Sequence, residues 1–331
     1  MIKNLAERNS DRSALVALAG AWIRPDRIQG SAVRIATLAI IAWAGLTEIG
    51  FLSSSNVSAI MYSTAAVGIA AVGMSLVTIS GNLFMLSMGA VAAVSTVLFA
   101  SYLHFGIAVS AGAVVLAGAA SGLVQGLAVA ALRANPIILS IALASIVMGF
   151  GSLYSGGVTV VGQGDVSWLA VGTVAWNIPN QIVLFVVVVG AASIFMEQTR
   201  LGRELRLIGL NLTAARYAGL RISRAVSVAY VIAGGTASAA GVFYASQAAQ
   251  GNLQLGQGLD FDAIAAVLVG GVSIKGGEGS VVDAAIGAIF LALLTNVLLL
   301  HGLSLQTQLM VKGLVVVISV LTGALVRGAG R

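Results

Sequence analysis

The sequence predicts an all-α, polytopic transmembrane helical bundle with about ten spans and both termini in the cytoplasm. Apolar runs of about 15–25 residues, long enough to cross a bilayer, alternate with short polar breaks between Ile35 and Val326. The chain is 59% hydrophobic and 8% charged, whereas soluble domains carry about a quarter charged residues. Alternate threading of the spans places sixteen of the seventeen Lys and Arg residues on one side, as the positive-inside rule requires.

The apolar runs define the individual spans. We place them at Ile35–Leu52, Ala59–Ile79, Met85–Leu103, Gly106–Leu132, Ile137–Tyr154, Ile178–Phe195, Ala225–Tyr244, Ala263–Ile274, Val281–Leu300 and Leu309–Val326. All should be helical, because lipid offers no partner for unpaired backbone groups. The eighth run is short, so the sequence leaves open whether it crosses fully or is a half-helix or re-entrant element.

The same pattern divides the chain into segments. Residues 1–34 form a predicted cytoplasmic tail, 35–326 the transmembrane domain and 327–331 a cytoplasmic C-terminus. The longest inside loop, 196–224, carries six Arg residues. The first apolar run is expected to stay as a membrane anchor, since the basic segment before it is too long for a signal peptide.

Composition and motifs exclude several functions. The net charge of +6 follows from loops that flank the membrane, where orientation and anionic lipid explain it, so no nucleic-acid partner is predicted. Cysteine is absent, and no paired carboxylates, metal cluster or nucleophile stand together, so we predict no enzyme, metal site or cofactor in this chain. The Gly-rich run Val269–Gly279 lacks the Gly-Lys-Ser/Thr ending of a phosphate-binding loop. It is either a turn that faces a partner or a plain helix-breaking turn.

Polar and small residues inside the spans suggest a path and a packing face. Candidate path residues for a neutral solute with hydroxyl or amide groups are Asn82, Gln125, Ser145 and Asn296, although hydrogen bonds between helices explain such residues about as well. Gly118, Gly122 and Gly126 stand four apart, so they share one helix face and allow close helix packing. Few ionisable groups lie inside the spans, which argues against ion coupling.

Two surfaces suggest partners. In the inside loop, Ala214, Ala215 and Gly219 would give a short helix a low-profile surface that fits a cleft in another protein; a solvated basic loop is the alternative. Outside, Glu48, Asp165, Asp260 and Asp262 are opposed by Lys312 alone. This mildly acidic face would steer a soluble partner that carries basic docking residues.

Three stretches resemble a known family. They are Ala131–Leu143, with Arg133 and Pro136 at the start of a span; Gly202–Gly219, similar to the pattern G-x-x-x-x-A-I-G-x-N-x-x-A-A-x-x-x-G; and Asp262–Gly279, similar to D-A-I-A-A-V-V-I-G-G-x-S-x-x-G-G-x-G. The chain thereby resembles the permease subunits of bacterial ABC importers, in the branch with the ribose, xylose and arabinose permeases.

The resemblance implies a multi-pass inner-membrane protein that works as a dimer, with an identical or paralogous second permease. ATPase subunits holding ATP and Mg would bind on the cytoplasmic side, and a periplasmic solute-binding protein would bind outside. The expected ATPase-coupling residues are Gly202, Gly209, Asn211, Ala214, Ala215 and Gly219.

Two positions depart from the family pattern. Thr213 replaces the usual acid before the two alanines, and Ser80–Gly89 lacks the Asp of the family's T-G-G-I-D-L-S-V-G. A monosaccharide is the expected solute. Branched-chain amino acids or nucleosides are the alternative, and an ion-gradient-driven carrier is a third reading.

Overall fold

The computed structural model describes residues 25–48, 50–174 and 178–329. Most of the predicted N-terminal tail and the last two residues lie outside these ranges. The helices, in chain order, are α1 (Pro25–Thr47), α2 (Ser54–Ile79), α3 (Met88–Tyr102), α4 (Ile107–Ala131), α5 (Pro136–Ser155), α6 (Ser167–Ala170), α7 (Asn180–Gln198), α8 (Arg200–Leu210), α9 (Leu212–Tyr217), α10 (Ile222–Ala248), α11 (Leu259–Val269), α12 (Val281–Leu300) and α13 (Leu305–Ala329). A 3-10 turn, Leu103–Phe105, extends α3.

Four two-residue strands complete the described elements. They are β1 (Val160–Val161), β2 (Thr173–Val174), β3 (Ile178–Pro179) and β4 (Gln250–Gly251). β1 pairs antiparallel with β4, and β2 pairs antiparallel with β3. The fold is therefore a helical bundle, as predicted.

Nine helices within the described ranges are long and apolar enough to cross a membrane. The eighth predicted span, Ala263–Ile274, corresponds to α11, which has 11 residues and is therefore about 16 Å long. A hydrocarbon core of about 30 Å is too thick for it to cross. In the structure, the eighth predicted span is therefore a short helix that does not cross the membrane fully. α1 begins at Pro25 and runs through the predicted boundary between residues 34 and 35.

Local sequence explains where these helices begin and end. Asn135 precedes α5, and its Oδ1 accepts hydrogen bonds from the backbone N–H groups of Ile137 and Ile138, while Pro136 fits the first helical position. Gly156 ends the same helix in the left-handed conformation with φ 64°, which glycine adopts without strain. At α12 the Ser280 side chain accepts from the N–H of Asp283.

Two helices form the centre of the bundle. The spanning windows of α2 and α10 are 78% and 72% buried, against 6% for α13. α10 packs against α2, α3 and α4, and its Tyr230 has no exposed surface. The peripheral helices α1, α5 and α13 expose large apolar side chains, which suits contact with lipid.

Glycines allow α4 and α10 to pack closely. A Cβ on Gly118 would collide with Ser238 and the carbonyl oxygen of Gly234, and one on Gly122 would collide with the carbonyl oxygen of Tyr230. A Cβ on Gly126 would lie 2.7 Å from the Cα of Ser227. The three glycines singled out in the sequence therefore lie on the face of α4 that contacts α10.

Two non-helical runs interrupt the bundle. The first run, residues 80–87, follows α2 and leads into α3; the second run, residues 249–258, follows α10 and leads into α11. In the first run Met85 donates its N–H to Met74 Sδ at 3.3 Å, so the chain turns back beside α2. At Gly89, the second residue of α3, a Cβ would lie 2.8 Å from Asp260 Oδ1 and 3.2 Å from the Gly256 carbonyl oxygen. The starts of α3 and α11 therefore meet within the bundle.

Candidate functional site at the α8–α9 loop

The α8–α9 loop presents a small helix at one end of the bundle. Asn211 caps α9, because its Oδ1 accepts from the N–H of Ala214 at 2.9 Å. Ala214 and Gly219 are exposed, whereas Ala215 is 5% exposed and packs inward. Gly219 has φ 73° and open space around it. The surface available to a partner is therefore formed by residues 214 and 217–219 rather than by the whole motif.

Tyr217 was not singled out in the sequence, yet it lies at the tip of this surface. Its exposed fraction is 90%, the largest among the exposed large hydrophobic residues of the described chain. Aromatic side chains that protrude in this way are common energetic centres of protein interfaces. In the sequence, this position is marked only by an aromatic residue that stands directly before the small residues Ala218 and Gly219.

Gly202 and Gly209 shape the loop from inside. A Cβ on Gly202 would collide with the backbone at Phe195 and Met196, and its N–H donates to Thr199 Oγ1 at 3.1 Å. Gly209 packs against the carbonyl oxygen of Ile79 at the end of α2. These two predicted coupling residues are thus positions of close backbone approach.

Gly81, Gly209, Gly276 and Gly277 form a contact that we name the glycine junction. Gly277 donates its N–H to the Ile79 carbonyl oxygen at 2.8 Å. A Cβ on Gly276 would lie 2.6 Å from Gly81 Cα, and Gly81, Gly276 and Gly277 have φ values of 82°, 85° and 75°. Only glycine tolerates that conformation and that approach together. The junction joins the first non-helical run, the α8–α9 loop and the turn that precedes α12.

The turn of residues 270–280 is consequently part of the site. Gly276 and Gly277 are buried, and Arg206 of α8 donates from Nη2 to the Gly279 carbonyl oxygen at 3.4 Å. The glycines of this turn do not form a phosphate-binding loop, and the turn is not a free loop. Gly276 and Gly277 pack against the end of α8, which leads into α9. Spacing alone could not show this, because 67 residues separate Gly209 from Gly276.

A cavity of about 390 Å³ lies beside the glycine junction. Asn82, Asn211, Arg133, Arg216 and Lys275 contribute to its lining, which contains no acidic residue. The Asn82 side chain donates to Ser80 Oγ at 2.8 Å. This candidate path residue therefore lies at the α9 end of the bundle, in cationic surroundings.

The other three candidate path residues lie elsewhere. Gln125 is 1% exposed and accepts from Ser87 Oγ at 2.7 Å, while its Nε2 has no partner in the described residues. Ser145 is exposed on α5 and bonds back to the Ile141 carbonyl oxygen. The structure does not bring the candidate path residues together into one site.

Asn296 illustrates the alternative reading of such polar residues. Its side-chain amide and that of Asn56 exchange two hydrogen bonds, at 2.7 and 3.0 Å. Asn56 also donates to the Phe51 carbonyl oxygen at 2.9 Å. The pair ties α12 to the start of α2, so helix association fully accounts for Asn296 in this structure.

Comparison with known proteins gives a consistent family. A family model described as the permease component of the branched-chain amino acid transport system matches residues 56–320. The ribose import permease protein RbsC of Escherichia coli (strain K12) is 32% identical over 87% of this chain and 91% of its own length. The autoinducer 2 import system permease protein LsrC of Enterobacter sp. (strain 638) is 34% identical over 63% of this chain and 61% of its own.

A shorter match points the same way. The L-arabinose transport system permease protein AraH of Escherichia coli (strain K12) is 32% identical over 60% of this chain and 60% of its own length. No solved structure matches the chain. The matched region contains the glycine junction, the α8–α9 loop and both non-helical runs.

Proposed function

The chain belongs to the family of branched-chain amino acid transport system permease components, and from that premise we propose that it forms the solute path of an ATP-driven monosaccharide importer. It is a multi-pass inner-membrane protein and an ABC importer permease subunit, as its relatives and its nine membrane-length helices show. In this proposal the chain has no catalytic site and no cofactor of its own. ATP and Mg belong to partner ATPase subunits on the cytoplasmic side.

The glycine junction is the observation that carries this proposal. The end of α8, which leads directly into α9, is joined to the first non-helical run through backbone contacts at Gly209, Gly81 and Gly277. Close-packed backbones transmit displacement rather than absorb it. A partner that moves α9 would therefore move residues 80–87, which lead into α3 and the interior of the bundle. The bundle would alternate between two states as ATP is bound and hydrolysed elsewhere.

The partner surface suits an ATPase subunit. Ala214 and Gly219 leave room for a cleft, and Tyr217 supplies an aromatic side chain that can fill a pocket. The neighbouring cavity with Arg133, Arg216 and Lys275 is electropositive, so acidic side chains on the ATPase would be complementary to it. Thr213 is exposed, so the missing family acid changes the charge of this surface rather than its packing.

The functions of the relatives favour a sugar as the solute. The relatives named above import ribose, L-arabinose or autoinducer 2, which gives the monosaccharide reading its support. A branched-chain amino acid remains the second candidate, because the family description names that class. Phe84 and Met85 stand in the neighbourhood of the missing family Asp, and Met85 has no exposed surface. The loss of that Asp therefore alters packing beside Met74 and does not by itself argue for a less polar solute.

The outer partners are proposed as a periplasmic solute-binding protein and a second permease subunit. The predicted acidic face is smaller in the structure than its charges suggest, because Asp260 lies beside Gly89 within the bundle and not on an outer surface. Asp262 pairs with Lys312 at 3.0 Å, and Glu48 lies 3.3 Å from His301. Asp165 stays exposed on the outer loop, where hydrogen bonds from Ser167 lower its pKa. A broad acidic attraction is therefore not the basis on which we propose the binding protein.

An uptake panel tests the proposed function. Proteoliposomes containing the permease with its ATPase and binding protein would be supplied with labelled D-ribose, L-arabinose, leucine or adenosine. We expect ATP-dependent uptake of a sugar, unaffected by a protonophore. Uptake of leucine or adenosine and of neither sugar would show that the solute is not a monosaccharide. Uptake by the permease without the ATPase would overturn the importer assignment.

A substitution on α9 tests the coupling surface. Ala214→Trp places a bulky side chain on the exposed face of a helix, so we expect ATP hydrolysis to lose its stimulation by loaded binding protein while the melting temperature stays unchanged. Ala142→Trp, on the exposed face of α5, is the matched control, since it adds the same side chain away from α9. Normal stimulation in Ala214→Trp would contradict the docking role of α9.

A further inference from the structure

The second non-helical run and the start of α11 carry polar side chains that nothing in the bundle uses. Gln254 and Gln257 are exposed, and Phe261 is 69% exposed. Neither glutamine side chain has a hydrogen-bond partner in the part of the chain that the structure describes. Asp260 lies between them and Phe261 and is only partly exposed. We name Gln254, Gln257, Asp260 and Phe261 the polar seam.

The seam lies deep in the bundle. Gly251 packs against Thr96, Gly256 against Ala93, and Asp260 against Gly89, so the run descends beside α3 by seven residues, or about 10 Å. Below Asp260, α11 continues to Gly270, which packs on the backbone of Asp283 in the first turn of α12. Ten helical residues separate Asp260 from that end, which is about 15 Å. This is half of the roughly 30 Å hydrocarbon thickness.

Exposed amides at that depth cannot face lipid. Irregular backbone and unpaired polar groups inside a membrane occur where they are buried in protein or line a water-filled cavity. The described chain covers neither glutamine, although α1, α5 and α13 show that it can present largely apolar surfaces elsewhere. The seam therefore lines a water-filled space or is buried against a second permease subunit. Since nothing in the described chain seals it, we assign it to the water-filled path of a transport subunit, and the labelling experiment below separates the two cases.

The side-chain chemistry identifies what the seam can contact. Gln254 and Gln257 offer donors and acceptors to hydroxyl groups, Asp260 offers a carboxylate acceptor, and the exposed ring of Phe261 offers a flat apolar face. This set matches a ring-shaped molecule with hydroxyls at its rim and C–H groups on its face. Near Gly89, Ser87 Oγ donates a hydrogen bond to Gln125 Oε1, and the Nε2 of Gln125 has no acceptor in the described residues.

We infer that the polar seam is a solute-contact site for a polyhydroxylated, ring-shaped solute about halfway across the membrane. This inference rests on the proposed function and adds residues to it, because the four candidate path residues from the sequence include none of the seam. Gly89 belongs to the site as a spacer, since any Cβ there would displace the Asp260 carboxylate.

Cysteine accessibility tests the location independently of the solute, and the chain contains no native cysteine. Gln257→Cys and Phe261→Cys would be treated with a membrane-impermeant methanethiosulfonate in the assembled transporter, both nucleotide-free and trapped with ATP and vanadate. Leu38→Cys, on the exposed apolar face of α1, is the lipid-facing control, and Asp165→Cys is the outer-loop control. We expect seam cysteines to react more than tenfold faster than Leu38→Cys in at least one state. Equal rates in both states would overturn the inference.

Protection and transport then test the contact itself. Saturating D-ribose or L-arabinose with binding protein should slow labelling of Phe261→Cys; labelling without protection by either sugar would overturn the solute contact. Phe261→Ala should lower sugar transported per ATP at least fivefold, with Phe261→Tyr restoring it. Phe105→Ala is the matched control, because Phe105 is a similarly exposed aromatic residue at 62%, and it should stay within twofold. If wild-type transporter moves neither sugar, the proposed solute fails while the labelling result still decides the seam.

Discussion

The glycine junction and the second non-helical run both pack through glycines, but they differ in the side chains that they present. At the junction, four glycines let three backbones touch, and Gly81, Gly276 and Gly277 have positive φ. In the second run, Gly251 and Gly256 likewise meet the backbone of α3, and side chains add hydrogen bonds. Thr96 Oγ1 accepts from the N–H of Asn252 and donates to its carbonyl oxygen, and the Asn252 side chain donates to Thr159 Oγ1 at 2.8 Å. The junction suits the transmission of force, whereas the seam suits contact with something that enters and leaves.

The difference extends to the segments on either side. The junction joins regions that the partner ATPase would move together. The second non-helical run instead connects the outer loop, through β1 and Thr159, to α11 inside the bundle. Side-chain hydrogen bonds of this kind are individually worth about 1 kcal/mol, so they can exchange during a transport cycle. The junction is thus held by glycine contacts between backbones, whereas the second run combines such contacts with replaceable side-chain hydrogen bonds.

Gly209→Val is expected to give the largest effect on this comparison. The new side chain would collide with the Ile79 carbonyl oxygen and with Gly277, and such overpacking costs about 1–3 kcal/mol. Uptake in proteoliposomes, per amount of folded protein, should fall by roughly tenfold or more, because small misplacements far from a site can reduce turnover by that much. Gly190→Val on α7, where a Cβ meets open space, is the control. Full uptake by Gly209→Val would mean that the junction yields and does not transmit force.

Gly122→Ala should have a smaller effect, on stability rather than on coupling. The added methyl would meet the Tyr230 carbonyl oxygen across the α4–α10 contact, so the melting temperature in detergent should fall by several degrees. Gly112→Ala, on the same helix with nothing within 4 Å, should leave it unchanged or raise it slightly, because alanine favours helix. An equal shift in both variants would show that backbone approach is not what fixes this face.

The Asn56–Asn296 pair should give the smallest effect. A double-mutant cycle with Asn56→Ala and Asn296→Ala should show a coupling of about 0.5–1.5 kcal/mol, measured by unfolding in mixed micelles. Transport per ATP should change little, since these amides are satisfied by each other. A large loss of sugar uptake at unchanged stability would show that Asn296 contributes to the solute path as well as to helix association.

Several features could be predicted because they depend on local composition. The apolar runs predicted nearly all the long helices, and the loop motif predicted a short helix around Ala214 that Asn211 caps. The coupling motif contains the exposed residues that we propose face a partner, although spacing could not separate exposed Ala214 from buried Ala215. The period of a six-residue helix is too short to define a buried face.

Other features could not be predicted because they depend on segments far apart in the chain. Asn296 looks like a path residue until Asn56, 240 positions away, is placed beside it. Gln257 looks like an ordinary loop residue until the second non-helical run is placed beside α3. The eighth apolar run forms only the short helix α11 because the second non-helical run, which precedes it, places the start of α11 inside the bundle.

By itself the sequence determined a membrane-embedded helical bundle with a basic loop and two glycine-rich motifs, because hydrophobicity and charge act along the chain without regard to contacts. The tertiary structure alone decided that those motifs meet at Gly81, Gly209, Gly276 and Gly277, and that the second non-helical run lies beside α3 with the side chains of Gln254 and Gln257 exposed. Close backbone contacts and side-chain exposure depend on which segments are neighbours in the fold. Patterns read along the amino-acid sequence do not show which distant segments become neighbours.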